Sequence, residues 1–220
     1  MFFLVISKIC FIFPPIISIN IPTMAHFKDI FKIRHNNLSP EKGKILISEP
    51  FLQDFYFQRS VVLLVEHNAK GSMGFVLNKN TGLLVNDFIE DLEDRPKIPL
   101  YLGCPVSSDR LFFIHTLGNL IPNNVQISER LFFDGDFDAI ISYIRSGNPI
   151  KGRVRFFIGY SGWTKSQLSG EINEDSWLVG LPGKNNILLT EGESFWKQAV
   201  ESVGGSYKTW INYPKDPRLN

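Results

Sequence analysis

The sequence has few cysteines, few histidines and almost no net charge. Its 220 residues include 2 cysteines and 4 histidines, and 23 basic residues against 22 acidic ones give a net charge of +1. Because Cys10 lies in an atypical first segment, the folded part keeps only Cys104, which excludes a disulfide framework there. The neutral balance lacks the basic footprint of a nucleic-acid-binding protein. These absences favour a reducing compartment, and we expect a cytoplasmic protein.

Motifs that bind metals or phosphates are also missing. The histidines form no His-x-His or His-Glu-x-x-His pattern, and there is no Cys-x-x-Cys, so the sequence predicts no metal site. The segment from Gly71 to Gly74 lacks the lysine and hydroxyl of a phosphate-binding loop and is more typical of a two-glycine hairpin turn. We therefore predict no cofactor.

The first 23 residues, MFFLVISKICFIFPPIISINIPT, are almost wholly apolar. They match neither a secretory signal nor a membrane span, because Lys8 lies inside the apolar run, Pro14 and Pro15 interrupt it, and no small-residue cleavage site follows. We interpret residues 1–23 as an N-terminal extension from a misassigned start. On this interpretation the chain begins at Met24, residues 24–220 form a single domain, and no membrane anchor is expected.

What the sequence does contain is typical of a folded domain with an aromatic core. Apolar residues make up 44% of the chain, charged residues 20%, and there are 19 phenylalanines, which is enough for one substantial core. Short β-branched and aromatic runs alternate irregularly with amphipathic helical patterns, and this mixture predicts an α+β fold.

The individual elements follow from the hydrophobic periodicity and the turn residues. The predicted strands are residues 44–48, 60–67, 74–78, 100–102, 110–116, 125–133, 153–160, 176–180 and 186–189. The predicted helices are residues 85–94, 136–146 and 194–203, with a further pattern at 165–173.

Several spaced motifs resemble those of the AlgH/YqgE family of bacterial proteins. They are GKILISEPFLQDFYFQRSVVLLVEH from Gly43, GSMGFVLN from Gly71, YLGCPVSSDRLFFIH from Tyr101, GYSGWTKSQL from Gly159, Ser176-Trp177, and YPKDPRLN from Tyr213. The resemblance extends from about Phe31 to the C-terminus. It implies a compact α+β domain, with a mixed, mostly antiparallel β-sheet or partial barrel flanked by helices.

The resemblance implies less about function. The biochemical activity of the family is not established, and its members are often labelled transcriptional regulators after a link to alginate production. One position departs from the family pattern. Where that pattern resembles Gly-Gly-Pro-Val, this chain has Gly103-Cys104-Pro105-Val106, and the side chain at Cys104 disfavours a positive φ there.

Two reactive residues were weighed as nucleophiles. Ser161 lies in a partial match to the Gly-x-Ser-x-Gly elbow, but Trp163 occupies the second glycine position and its bulk opposes the sharp turn. We favour a tight strand end in which Trp163 covers the core. Cys104 could pair with His115 or His67 as a thiolate. The spacing does not bring them together, so we favour an inert thiol.

Seven residues are the candidates for lining a ligand pocket. They are Arg59, Asn78, Asp109, Arg110, His115, Tyr160 and Trp163. The polar members lie at the edges of apolar strands, where they either share a pocket or satisfy buried backbone groups and form Asp–Arg bridges. This set is where we would search for an anionic or planar small ligand.

Three functions are compared. We favour a non-enzymatic regulatory or binding protein that works through an unidentified protein or small-molecule partner, with homodimerisation left open. Direct DNA binding is disfavoured, because residues 84–94 carry five acids and no base, which would repel phosphates. The alternative is a small hydrolase or transferase with a pocket near Asp109, Arg110 and His115, together with Ser161.

Overall fold

The fold is described from a computed structural model, which covers residue 31, residues 33–183 and residues 187–216, without the side chains of residues 107–109. The chain divides into two units, Met1–Lys32 and Ile33–Asn220, and the account below concerns the second. The predicted extension at residues 1–23 and the start at Met24 lie outside the described residues and stay predictions. In the described part of the chain, no helix is long and apolar enough to cross a membrane.

Nine strands of the described residues form one sheet. They are β1 (Ile45–Ser48), β2 (Val61–Asn68), β3 (Gly71–Val76), β4 (Asn80–Leu84), β5 (Pro99–His115), β6 (Val125–Ser128), β7 (Leu131–Phe133), β8 (Val154–Thr164) and β9 (Trp177–Gly180). Their order across the sheet is β6-β7-β5-β8-β3-β2-β1-β9, with β4 paired to β5 outside this path. The β2–β3 pair is the predicted hairpin, although its turn falls at Ala69 and Lys70, so that Gly71 already belongs to β3.

The long strand β5 wraps β8 on both sides. Its first half, from Leu100 to Val106, pairs with residues 156–160 of β8, and the residue numbers rise in the same direction along both segments. Its second half returns antiparallel beside residues 154–158. The sequence predicted two separate strands here, at residues 100–102 and 110–116. The structure makes them one continuous strand, because the chain between them stays extended while it crosses over β8.

The sheet curls so that its β6 edge approaches the chain just before β1. The Lys42 ammonium donates a hydrogen bond to the Gln126 carbonyl at 3.0 Å. At Gly43, where φ is +86°, a Cβ would come within 3.2 Å of the Ile127 carbonyl oxygen. The predicted α+β fold with a partial barrel is therefore confirmed.

In the part of the chain that the structure describes, three α-helices and several 3₁₀ segments cover the sheet. The α-helices are α1 (Phe137–Arg145), α2 (Gln167–Asn173) and α3 (Gly192–Val203), all close to the predicted positions. Helix α1 begins where the Asp136 carboxylate accepts a hydrogen bond from the Ala139 amide at 2.9 Å, as expected of an N-cap. It buries Ile140, Ile141 and Ile144 in a core layer that includes Phe113 and Phe156.

The helix predicted at residues 85–94 is wrong. Two 3₁₀ segments, Val85–Asp87 and Glu90–Leu92, replace it. The reason lies at Asn86, whose side chain donates to the Leu92 carbonyl at 2.7 Å and accepts from the Ile98 amide at 2.9 Å. Such side-chain bonds to the backbone compete with helical hydrogen bonding.

Two predicted strands also differ. Residues 125–133 form the hairpin of β6 and β7, with the turn at Glu129 and Arg130. The strand predicted at 186–189 is wrong, since Ile187–Leu189 is a 3₁₀ segment and residue 186 lies outside the described residues. Side-chain donors take the carbonyls here, since the Thr190 hydroxyl donates to Ile187 at 2.8 Å and the Arg155 guanidinium donates to Leu188 at 2.8 Å. Such bonds compete with strand pairing.

Candidate functional site

Six of the seven predicted pocket residues fall into three separate places. Arg59 and Asn78 lie together at one end of the β2–β3 hairpin. Arg110, His115 and Tyr160 lie around β5 and β7. Trp163 lies beneath helix α2. Asp109 belongs to β5, and its side chain is outside the described residues.

The group around Arg110 is occupied by structural contacts. Its guanidinium pairs with the Asp134 carboxylate at 2.7 Å and lies 4.4 Å from the centroid of the Phe112 ring. His115 is fully buried. Its Nδ1 accepts from the Leu117 amide at 3.2 Å, so Nε2 donates to the Asp134 carbonyl at 3.1 Å. Burial lowers the pKa of His115, which keeps its ring neutral.

Trp163 has a packing role in the core. Its indole donates to one oxygen of the Glu171 carboxylate at 2.8 Å, and the indole of Trp177 donates to the same oxygen at 2.8 Å. Ser161 is fully buried, and its hydroxyl donates to the Gly103 carbonyl at 3.0 Å. Neither the indole nor the hydroxyl is presented to a substrate.

Cys104 corrects an expectation about the backbone. Its φ is +98°, although a side chain disfavours this region. The strands β5 and β8 approach closely beside it, since a Cβ at Gly103 would lie 2.1 Å from the Gly159 carbonyl oxygen. The thiol is buried, donates to the Tyr56 carbonyl at 3.6 Å, and has its pKa raised to about 12, chiefly by burial. A thiolate at neutral pH is therefore disfavoured.

Arg59 and Asn78 form one wall of a small polar cavity, here called the Arg59 groove, of about 170 Å³. Its lining residues are Gln58, Arg59, Asn78, Lys79, Gly192, Glu193 and Lys215. The Asn78 side chain fixes the geometry. Its amide donates to the carbonyls of Arg59 and Gly192, both at 2.9 Å, and its oxygen accepts from the Val61 amide at 3.0 Å.

Positive charge exceeds negative charge in the Arg59 groove. The Glu193 carboxylate pairs with Arg59 at 2.5 Å and with Lys215 at 2.8 Å. Burial alone would raise the pKa of Glu193, but these two hydrogen bonds hold it below its ordinary value. The Lys79 ammonium donates to the Gln58 carbonyl at 2.8 Å, and burial lowers the pKa of Lys79.

A second and larger cavity, here called the Arg155 cavity, has a volume of about 580 Å³. The loops at residues 96–99, 147–152 and 188–191 surround it, and the strands contribute Tyr101, Val154 and Arg155. Proline, leucine and isoleucine side chains form much of its lining. Such a mixture of apolar walls and a few polar groups is typical of small-molecule sites.

Three polar side chains define the chemistry of the Arg155 cavity. The buried Arg155 guanidinium donates to the carbonyls of Leu77 at 2.6 Å and Leu188 at 2.8 Å, and it lies 4.1 Å from the centroid of the Tyr101 ring. The Tyr101 hydroxyl donates to the Glu191 carboxylate. Burial, together with this hydrogen bond, raises the pKa of Tyr101 to about 12.

This cavity was not predicted from the sequence. Arg155 did carry a signal, because it is a charge inside the apolar run VRFFIGY, and buried arginines are rare unless they are partnered. Tyr101 and Glu191 carried none, since their pairing joins residues 90 positions apart. Among the described residues, no group of three or more metal-ligating side chains could hold an ion.

Comparisons with known proteins agree on one family. A family model described as DUF179, AlgH-like, matches residues 45–208. The UPF0301 protein of Parabacteroides distasonis is 59% identical over 198 residues, which are 90% of this chain and 100% of the relative. The UPF0301 protein of Bacteroides thetaiotaomicron is 47% identical over 192 residues, 87% of this chain and 97% of the relative.

Solved structures have the same fold. The solution structure of the AlgH protein from Pseudomonas aeruginosa aligns with a TM-score of 0.62 at 28% identity, over 77% of this chain and 93% of that one. A crystal structure of a protein from Corynebacterium diphtheriae aligns with a TM-score of 0.66 at 20% identity, over 84% of this chain and 97% of that one. At 20% identity, the second alignment shows a shared fold and nothing further.

Proposed function

This chain belongs to the AlgH-like family, and from that premise we propose that it is a non-enzymatic regulatory protein that binds a small anionic molecule in the Arg155 cavity. The single observation that carries this proposal is the buried Arg155 guanidinium. It lines a cavity of about 580 Å³, within the range of roughly 300–1,000 Å³ that small-molecule sites occupy.

The charges around the Arg155 cavity favour an anion. Arg155, Lys97 and Lys151 contribute three positive charges against the one carboxylate of Glu191. Both lysines are exposed at the rim, where they would attract an anion, whereas Arg155 lies buried and would hold it. Because much of the remaining wall is apolar, we expect a carboxylate attached to an apolar body.

The polar groups of the cavity favour binding over catalysis. The Tyr101 phenol, with its pKa raised to about 12, stays protonated near neutral pH and is already bonded to Glu191. In the part of the chain that the structure describes, the cavity lining includes no serine, threonine, cysteine or histidine, which are common nucleophiles and bases. Its one carboxylate, Glu191, is already bonded to the Tyr101 hydroxyl. The hydrolase alternative near His115 gains no support, because both nitrogens of that ring are already bonded.

A regulatory role through direct DNA contact is also unsupported. The segment that resembled a helix is two 3₁₀ turns, and its acids Asp87, Glu90, Asp91, Glu93 and Asp94 are all exposed. These carboxylates would repel a phosphate backbone. Regulation would therefore pass through the ligand and a protein partner.

The test is a thermal-shift screen of the full chain against aliphatic and aromatic monocarboxylates. We expect a subset of them to raise the melting temperature in proportion to the logarithm of ligand concentration. The double substitution Lys97→Glu and Lys151→Glu should remove that shift, because it reverses the charge at the rim. It should leave the unliganded melting temperature nearly unchanged, since both side chains are exposed.

Lys70→Glu is the matched control, because Lys70 is an exposed lysine in the β2–β3 turn and does not line the cavity. It should respond to the ligand as the wild type does. The proposal fails if no monocarboxylate raises the melting temperature, or if the rim variant and the control respond alike. Mass spectrometry of the recovered ligand checks that it leaves chemically unchanged, as a binding protein requires.

A further inference from the structure

The Arg59 groove holds polar groups that the protein itself does not satisfy. Arg59 is 6% exposed, and its Nε has no hydrogen-bond partner in the part of the chain that the structure describes. Its two terminal nitrogens are used, by Glu193 and by the Tyr213 carbonyl at 2.5 Å. Buried donors are normally paired, so the unpaired nitrogen marks a place where a further acceptor would be favourable.

The Lys79 ammonium contributes a positive charge that no described carboxylate contacts. Burial lowers the pKa of Lys79, although Glu193 and Asp54 lie near enough to oppose this shift. Within the described residues, no carboxylate lies within 4.0 Å of its ammonium, and its one hydrogen bond goes to a neutral carbonyl. The partly buried setting makes this charge costly. An anion in the groove would offset that cost.

The groove also meets the beginning of helix α3. That helix has 12 residues and begins at Gly192, and its N-cap residue, Glu191, makes no side-chain cap hydrogen bond. The Gly192 amide donates to the Asn78 carbonyl at 3.2 Å, so the helix N-terminus favours an oxyanion mainly through the partial positive charge of its dipole. Two kinds of charged donor therefore line one cavity beside this helix N-terminus, namely the Arg59 guanidinium and the ammonium groups of Lys79 and Lys215.

We infer that the Arg59 groove is a second binding site, separate from the Arg155 cavity, and that it takes a phosphate group. Its volume of about 170 Å³ equals the space of several waters at roughly 30 Å³ each, which suits a tetrahedral oxyanion. Glu193 would not prevent binding, because Arg59 and Lys215 already neutralise its carboxylate. The Lys79 ammonium, which contacts no carboxylate among the described residues, remains for the ligand.

The experiment measures binding of inorganic phosphate and of phenyl phosphate to the full chain by ³¹P NMR, at constant ionic strength set with chloride. We expect Lys79→Gln to weaken phosphate binding about tenfold, as for the loss of one charge-assisted hydrogen bond. Glutamine can still donate to the Gln58 carbonyl, so the fold should survive. Lys197→Gln is the matched control, since Lys197 also pairs with Glu193, at 3.7 Å, but does not line the groove.

Binding of both phosphates would support a site for the phosphate group of a larger ligand, and binding of inorganic phosphate alone would support a site for the free ion. The inference is overturned if neither binds, or if Lys197→Gln weakens binding as much as Lys79→Gln. The rim variant of the Arg155 cavity should bind phosphate as the wild type does, so either proposal can fail without the other.

Discussion

Two buried arginines, Arg155 and Arg59, occupy similar settings but are held in different ways. They are 3% and 6% exposed, and each lies over an aromatic ring, with the guanidinium carbon 4.1 Å from the Tyr101 centroid and 5.0 Å from the Trp196 centroid. The terminal nitrogens of Arg155 donate to two backbone carbonyls. Those of Arg59 donate to one carbonyl and one carboxylate.

The difference determines how much charge each arginine offers to a ligand. Carbonyl oxygens satisfy the donors of Arg155 without cancelling its charge, and burial lowers the pKa of Arg155 without deprotonating a guanidinium. The charge of Arg59 is already balanced by Glu193, so the excess in its groove comes from Lys79 and Lys215. Arg155 is therefore the binding group of its cavity, whereas Arg59 mainly organises its own.

The largest effect that would separate the two arginines is on stability. Arg155→Met should lower the free energy of unfolding by about 3 kcal/mol, because it removes two hydrogen bonds from a charged, buried donor and the stacking on Tyr101. Urea denaturation measures this. Arg155→Lys keeps the charge but loses the two-pronged set of donors, so its free energy of unfolding should lie between those of wild type and Arg155→Met. A loss no greater than that of Arg59→Met would contradict the comparison.

Arg59→Met should cost less, about 1–2 kcal/mol at neutral pH, because Glu193 is 30% exposed and keeps Lys215 as a partner. The cost should also depend on pH. The pKa of Glu193 is depressed in the folded protein. The carboxylate therefore adds stability at pH values above its unfolded pKa, and this stability is lost as the pH falls through its folded pKa. The difference in the free energy of unfolding between Arg59→Met and wild type should therefore become smaller as the pH is lowered.

Unfolding by urea across a series of acidic buffers tests this, with Lys197→Gln as the control for charge near Glu193. Lys197 lies 3.7 Å from that carboxylate and is 45% exposed, so its removal should change the pH dependence little. If the difference in the free energy of unfolding between Arg59→Met and wild type stayed constant from neutral to acidic pH, the ion pair between Arg59 and Glu193 would not be the source of that difference.

Part of the Arg59 groove could be predicted from the sequence. Arg59 precedes β2 and Asn78 follows β3, and antiparallel pairing of those strands brings both residues to one end of the hairpin. Lys215 and Glu193 could not be placed there, because the distance along the chain exceeds 100 residues and no local pattern encodes the contact. The curled sheet itself was predictable from the family resemblance and the apolar runs.

The Arg155 side was not predictable for a physical reason. Its walls come from loops at residues 96–99, 147–152 and 188–191, which have no periodicity to interpret. The segment at 186–189 even suggested a strand, since residues 187–189 are apolar and the first of them is β-branched. Only the tertiary fold shows that Leu188 turns its carbonyl toward Arg155.

The smallest expected effect concerns the partner of Arg155, and it sharpens the comparison because it keeps the guanidinium in place. Tyr101→Phe removes the hydrogen bond to Glu191 but retains the ring, so stability at neutral pH should fall by about 1 kcal/mol. The raised pKa of Tyr101, about 12 against an ordinary 10.0, gives the sign at high pH. A folded pKa above the unfolded one stabilises the protein below pH 10 and loses that contribution as pH rises toward 12. Wild type should therefore lose more stability than Tyr101→Phe over this pH range in urea titrations.

Tyr143→Phe is the matched control, because it removes an exposed hydroxyl that is bonded to the Pro149 carbonyl, and it should follow wild type. Equal alkaline losses in wild type and Tyr101→Phe would mean that the hydroxyl of Tyr101 is not held by Glu191, and that the Arg155 cavity is more open to water than its geometry indicates.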